Sequence, residues 1–267
     1  MATPSVRQHR RQPTPSIGRI REVGQPESVL GRVNAEHWAG KLYMRRLSPY
    51  ATRLLLRTSI SANGVTWLMI ASGLLAAAVL SLPGLLAAVG AVVLVQLQLL
   101  FDCSDGEVAR WRGTQSPAGV YLDRIGHYTT EAALAVALGI RADGGWSSID
   151  GWTTLGLVGA VLVLQVKSQT DLVDASRARA GVPPLPDTAP PAATSRRGQA
   201  RRLLRFLPFF RIYLAVEFSL LALAAALADA AAGNLAGTRT LLLIFVPMVA
   251  ITAVGYLASV LSSSRLR

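Results

Sequence analysis

The chain has 267 residues, of which 51% are apolar, with a single cysteine and a formal net charge of +12. One cysteine excludes an internal disulfide and a Cys/His metal cluster, and a mean hydropathy of +0.39 with long uncharged stretches excludes an ordinary soluble domain. No basic-and-aromatic pattern of a nucleic-acid module accompanies the charge, so no nucleic-acid partner is expected, and the absence of period-two alternation excludes a membrane β-barrel.

In chain order, residues 1–33 are polar, Arg- and Pro-bearing and without hydrophobic periodicity, which predicts a disordered basic tail. No apolar core follows the first charges, so a cleaved signal peptide is not expected. Residues 34–58 change character. Trp38, Leu42, Leu47, Tyr50, Leu54 and Leu55 intersperse with Lys41, Arg45, Arg46, Arg53 and Arg57. This predicts an amphipathic helix in the membrane interface, its cations toward anionic lipid head groups, and Ser48-Pro49 predicts a break into two pieces.

Residues 59–267 read as a membrane domain. The stretches 64–82, 83–101 and 240–264 carry no charge, and each is long enough to cross a hydrocarbon core roughly 30 Å thick. Three more polar candidates, 117–140, 152–172 and 209–228, bring the expected number of spans to six. Asn63 suits the cap of the first span, Pro117 the first turn of the third, and Pro247 a bend in the sixth. A flexible Pro-, Ala-, Ser- and Arg-rich loop is expected over about 175–200. Arginines crowd 1–58 and 177–211 and are sparse near 82–84, 141–151 and 229–238. The positive-inside rule then puts both termini and the 173–208 loop in the cytoplasm. The expected fold class is an all-α integral membrane protein of the inner (cytoplasmic) membrane, six transmembrane helices preceded by an N-terminal interfacial amphipathic helix.

The chemistry concentrates between residues 102 and 127, at the cytoplasmic end of the second and third spans. Asp102 and Asp105 share one helix face, and Gly119, Asp123 and His127 share another. Ionisable residues near a bilayer are costly and mark functional sites, and carboxylates suit Mg²⁺ or Mn²⁺ and the phosphates they bridge. Gly106 and Gly119 would allow a nucleotide close to the helices, while Arg110 offers a fixed fork to a phosphate. A helix end solvated at the interface would explain the carboxylates alone. A carboxylate-lined ion path would explain the charges. Neither accounts for the glycines and arginine at these intervals.

Those intervals carry a resemblance. The pattern D-x2-D-G-x2-A-R-x8-G-x3-D-x3-D is that of the CDP-alcohol phosphotransferases, and this chain is similar to it at every fixed position from Asp102 through Asp123. Asn63-x-Val65-Thr66 also resembles the family's P-N-x-V-T approach to the first span, with Ala62 in place of proline. The resemblance implies transfer of a phospho-alcohol group, phosphatidyl in phospholipid synthesis, from a CDP-alcohol donor to a hydroxyl acceptor, with release of CMP. It implies two divalent cations, Mg²⁺ or Mn²⁺, on Asp102, Asp105 and Asp123. Gly106, Ala109 and Gly119 would shape the CDP pocket, and Arg110 would meet the diphosphate with Asn63 and Thr66 nearby. It also implies a homodimer among membrane lipids, for which small residues in 220–233 suit close helix packing.

One position departs. His127 stands where the family has its fourth aspartate, the metal ligand also proposed to deprotonate the acceptor. Imidazole can bind metal or act as a base, but not through the same nitrogen at once. His127 and Asp123 are therefore the expected catalytic pair, with His127 also in the metal set and Glu131 or Glu107 as substitutes for the missing carboxylate. The alternative is a catalytically silent relative that binds CDP-alcohol or lipid. Arg112, Lys167 and Arg211 are the cations expected at the acceptor, which they would favour in phosphorylated form.

Overall fold

The computed structural model describes residues 15–30, 38–183 and 211–262. The tail over 1–14, the start of the interfacial helix at 34–37 and the loop over 184–200 lie outside them, as do residues 209–210 of the fifth expected span. Among the described residues all regular structure is helical.

The segment read as a disordered tail contains helix α1, Ile17–Gly24, capped by Ser16, whose hydroxyl accepts from the Arg19 N–H. Its Ile20 and Gly24 are buried. A short turn, α2, follows at Glu27–Leu30. A π-helical turn, Gly40–Met44, then leads into α3, Arg45–Leu55. The expected break at Pro49 does not occur: α3 runs through it. Proline removes the N–H that would bond to the Arg45 carbonyl, and the Gln25 side chain donates to that carbonyl instead, at 2.8 Å. Leu47, Tyr50 and Leu54 stay exposed, the apolar face an interfacial helix offers to lipid.

Six long helices follow: α4 Ala62–Leu80, α5 Leu85–Arg112, α6 Pro117–Ala142, α7 Gly151–Arg179, α8 Ala215–Ala232 and α9 Ala236–Leu261. Five of them, all but α6, are long and apolar enough to cross a membrane. Helix α6 has 26 residues, about 39 Å at 1.5 Å per residue, but carries Asp123, Arg124, His127, Glu131 and Arg141. Helix α7 continues to Arg179, so the first residues of the expected 175–200 loop are helical. Helix α9 runs through Pro247 without interruption.

Packing fixes α6 against its neighbours through glycines. A Cβ on Gly73 of α4 would lie 2.2 Å from the Thr130 hydroxyl, and one on Gly126 2.4 Å from the Met69 terminal carbon. On the other side, a Cβ on Gly156 of α7 would meet the Ala135 carbonyl oxygen at 2.8 Å and the Gly139 Cα at 3.0 Å. Small residues thus let backbones approach closely, as membrane helices require.

The two ends of the bundle differ. At one, buried Arg141 donates to the carbonyls of Leu82 at 2.7 Å and Gly84 at 3.0 Å, and Arg239 donates to the Ala142 carbonyl at 3.1 Å. Asp143 caps α7 there, accepting from the N–H groups of Asp150 and Thr153 and from the Thr153 hydroxyl. Partial desolvation opposes its ionisation, but these hydrogen bonds prevail and hold its carboxyl below the usual range. At the opposite end α5 turns into α6 over Gly113, whose φ of +64° is left-handed and suits glycine. The acidic motif lies at this second end.

Candidate active site

Helices α5 and α6 set the motif face to face. His127 Nε2 lies 3.0 Å from Asp102 Oδ1 and 3.5 Å from Asp123 Oδ1. One ligand atom from each of the three residues falls within 4.8 Å of the others. The spacing explains the convergence: Asp123 and His127 are one turn apart on α6, and Asp102 faces them from α5. All three side chains are partly exposed, Asp123 most at 39%. Two carboxylate oxygens and an imidazole nitrogen form a donor set that fits a divalent cation.

Asp105 sits one turn along α5, where its Oδ2 accepts from the Thr66 hydroxyl of α4 at 2.7 Å. Thr66 is thereby placed beside the motif. Asn63 lies on the same turn of α4, against Gly119, where a Cβ would come 3.2 Å from the Asn63 Oδ1. A Cβ on Gly106 would lie 3.0 Å from an Arg110 guanidinium nitrogen, so the missing side chain makes room for Arg110 to fold back over α5. Arg110 Nε also donates to the Gly24 carbonyl at 2.6 Å, a contact with α1 that the sequence does not announce. Ala109 is half-buried on this face.

Neither proposed substitute carboxylate joins the cluster. Glu107 is fully buried and points away from it. It accepts from Ser48 at 2.5 Å, Thr52 at 2.6 Å and Gln25 at 2.8 Å. Glu131 is paired with Lys167 at 2.8 Å. Each is a buried carboxylate claimed by its own donors, which leaves His127 without a carboxylate in the fourth position.

A cavity of about 270 Å³ opens beside His127 between α6 and α7, bounded by Arg124, Tyr128, Lys167, Asp171 and Tyr213. Of the three cations expected at the acceptor, only Lys167 reaches it. Arg112 donates instead to the carbonyls of Ile60 and of Thr58, the latter at 3.0 Å, stapling the segment before α4. Arg211 lies 3.8 Å from Glu217. Arg124, Tyr128, Asp171 and Tyr213 are among the cavity residues that the sequence analysis does not single out. The signal for the first three was the i, i+4 pair Arg124/Tyr128 on α6 facing the pair Lys167/Asp171 on α7.

The model of the CDP-alcohol phosphatidyltransferase family matches residues 59–164, from just before α4 into α7. Over these residues the chain resembles the CDP-alcohol phosphatidyltransferases. The matched segment contains the whole Asp102–His127 constellation. No curated protein matches the chain. The resemblance implies transfer of a phospho-alcohol from a CDP-alcohol to a hydroxyl acceptor, and the Asp102, Asp123 and His127 cluster could hold the metal on which the family typically depends.

Within the segment that matches this family, the histidine makes a distinct prediction. Imidazole suits Mn²⁺ or Zn²⁺ better than Mg²⁺. A His127→Asp variant is expected to move the metal preference of CMP release from Mn²⁺ toward Mg²⁺, and His127→Ala to weaken Mn²⁺ about 10- to 100-fold. Metal titrations of both variants check this.

Proposed function

We propose that this protein is an active membrane transferase. It moves a phospho-alcohol group, phosphatidyl in phospholipid synthesis, from a CDP-alcohol to a hydroxyl acceptor with release of CMP. The observation that carries this reading is the convergence of Asp102, Asp123 and His127 from facing helices inside the family-matched segment. A silent relative has no need to keep three ligand atoms within 4.8 Å.

A divalent cation, Mn²⁺ or Mg²⁺, would be held by Asp102, Asp123 and His127 Nε2, with Asp105 toward a second ion. Bound there, it supplies neutralisation of the donor diphosphate and of the charge developing on CMP. The remaining work belongs to the chain. Arg110 contacts the diphosphate, and Gly106, Ala109 and Gly119, with Asn63 and Thr66, shape the nucleotide pocket. The acceptor oxygen forms a bond to the phosphorus bearing the alcohol, and the bond from that phosphorus to the CMP oxygen breaks. CMP leaves with the electron pair. Because His127 Nε2 is committed to the carboxylate cluster, the acceptor proton passes to Asp123, the most exposed of the three.

Helix α6 serves as the third of six spans, with its charged half at the cytoplasmic end and both termini inside. Close packing of small residues along α8 suits a homodimer. The test is direct: purified protein is incubated with Mn²⁺ or Mg²⁺, CDP-diacylglycerol or soluble CDP-alcohols, and a panel of hydroxyl acceptors. Metal-dependent CMP release with a new phosphodiester supports the reading. Binding of CDP-alcohol without turnover for any pair supports the silent relative.

A further inference from the structure

Resting on the transferase reading, we propose that the acceptor bound in the cavity beside His127 is an uncharged polyhydroxy compound and not a phosphorylated one. A phosphate site needs cations whose charge is available to the ligand. Among the described residues, each Lys or Arg on the cavity wall is matched to a carboxylate of the chain itself. Arg124 Nη1 is ion-paired with Asp171 Oδ1. Lys167 Nζ lies 3.0 Å and 2.8 Å from the two oxygens of Glu131 and 5.7 Å from the Tyr213 ring centre. The two cations and two carboxylates sum to zero.

The pairs are also hard to give up. Glu131 has only 3% of its side chain exposed, so a phosphate that captured Lys167 would leave a buried carboxylate without its counter-ion, and a second anion beside it. Asp171 is held twice, since the Tyr128 hydroxyl donates to its Oδ2. Arg112 and Arg211, the other cations expected at the acceptor, are engaged elsewhere, with backbone carbonyls and Glu217 respectively.

What the cavity offers is neutral hydrogen bonding. The Tyr128 hydroxyl, the Thr170 hydroxyl and the paired carboxylate of Asp171 border it, with the Tyr213 ring as one wall. A volume of about 270 Å³ equals about nine waters at roughly 30 Å³ each, enough for a small polyol. Hydroxyl groups can both donate to Asp171 and accept from Thr170 without disturbing either ion pair.

Equilibrium binding of radiolabelled glycerol and myo-inositol, each against its monophosphate, tests this on the full-length protein in detergent with Mn²⁺ and a saturating CDP-alcohol analogue. The neutral polyol is expected to bind at least about tenfold more tightly than its monophosphate. The double variant Glu131→Gln/Asp171→Asn, which releases Lys167 and Arg124, is expected to reverse that order. Equal or tighter binding of a monophosphate by the unaltered protein, lost in Lys167→Gln, would overturn the proposal, as would failure of both neutral polyols to bind. Polyol binding without CMP release would sink the transferase reading and leave this assignment standing.

Discussion

Asp105→Asn is expected to lower CMP release by about 10³-fold while leaving the protein folded. Asp105 lies between α4 and α5, where its Oδ2 accepts from the Thr66 hydroxyl at 2.7 Å. An amide of the same shape keeps that hydrogen bond through its oxygen and loses only the charge. Loss of charge next to the Asp102, Asp123 and His127 cluster removes a site for cations and raises the cost of gathering a diphosphate there. The readout is kcat for CMP release together with a melting curve. An unchanged melting temperature with lost turnover separates chemistry from folding. A variant that turns over normally would remove Asp105 from the site.

Glu107→Ala is expected to destabilise the protein by about 3 kcal/mol and to release the N-terminal helices from the catalytic helix. Glu107 is the acceptor on which Gln25 from the end of α1 and Ser48 and Thr52 from α3 converge. Truncation leaves the Ser48 and Thr52 hydroxyls without their acceptor at a buried position, while Gln25 keeps the Arg45 carbonyl, and such orphaned groups cost about 1–3 kcal/mol each. A Cβ on Gly24 would already lie 3.1 Å from the Glu107 Cγ, so α1 is seated directly over this carboxylate. Limited proteolysis within residues 15–30, with thermal unfolding in detergent, measures the effect. Glu107→Gln keeps one acceptor oxygen and turns an amide NH2 toward the other hydroxyl, which can accept from it, and is expected to lose less than half as much. Wild-type protection in Glu107→Ala would show that α1 is held by other contacts.

These two residues mark what the sequence made legible and what it did not. Asp102, Asp123 and His127 were readable because helical spacing alone puts them on facing surfaces, and the structure brings their ligand atoms together. Gly106 and Gly119 were readable as fixed intervals along helices, and Thr66 only through the family resemblance. Glu107 lies inside the same motif but on the opposite face of α5, and its partners are 55 to 82 residues away. Nothing local announces such a partner. Pro49 misled because the penalty of a proline in a helix is local, whereas its relief, a side chain from α1, is not. The cations Arg112 and Arg211 also misled. Their charge suggested a ligand, whereas in the structure Arg112 is engaged by the distant Thr58 carbonyl and Arg211 lies near Glu217, six residues on. Lys167 was found, but the carboxylate that neutralises it sits on another helix, so its meaning for the acceptor changed.

The central claim is that His127 replaces a carboxylate as a metal ligand through Nε2, with Asp102 and Asp123. Electron spin-echo spectroscopy of Mn²⁺ bound to the full-length protein measures this at the atom concerned. The account predicts nitrogen coupling from a directly bound imidazole, lost in His127→Ala, and weakened Mn²⁺ binding in Asp102→Asn and Asp123→Asn. Mn²⁺ bound with undiminished affinity in all three variants and without nitrogen coupling in the unaltered protein would contradict it.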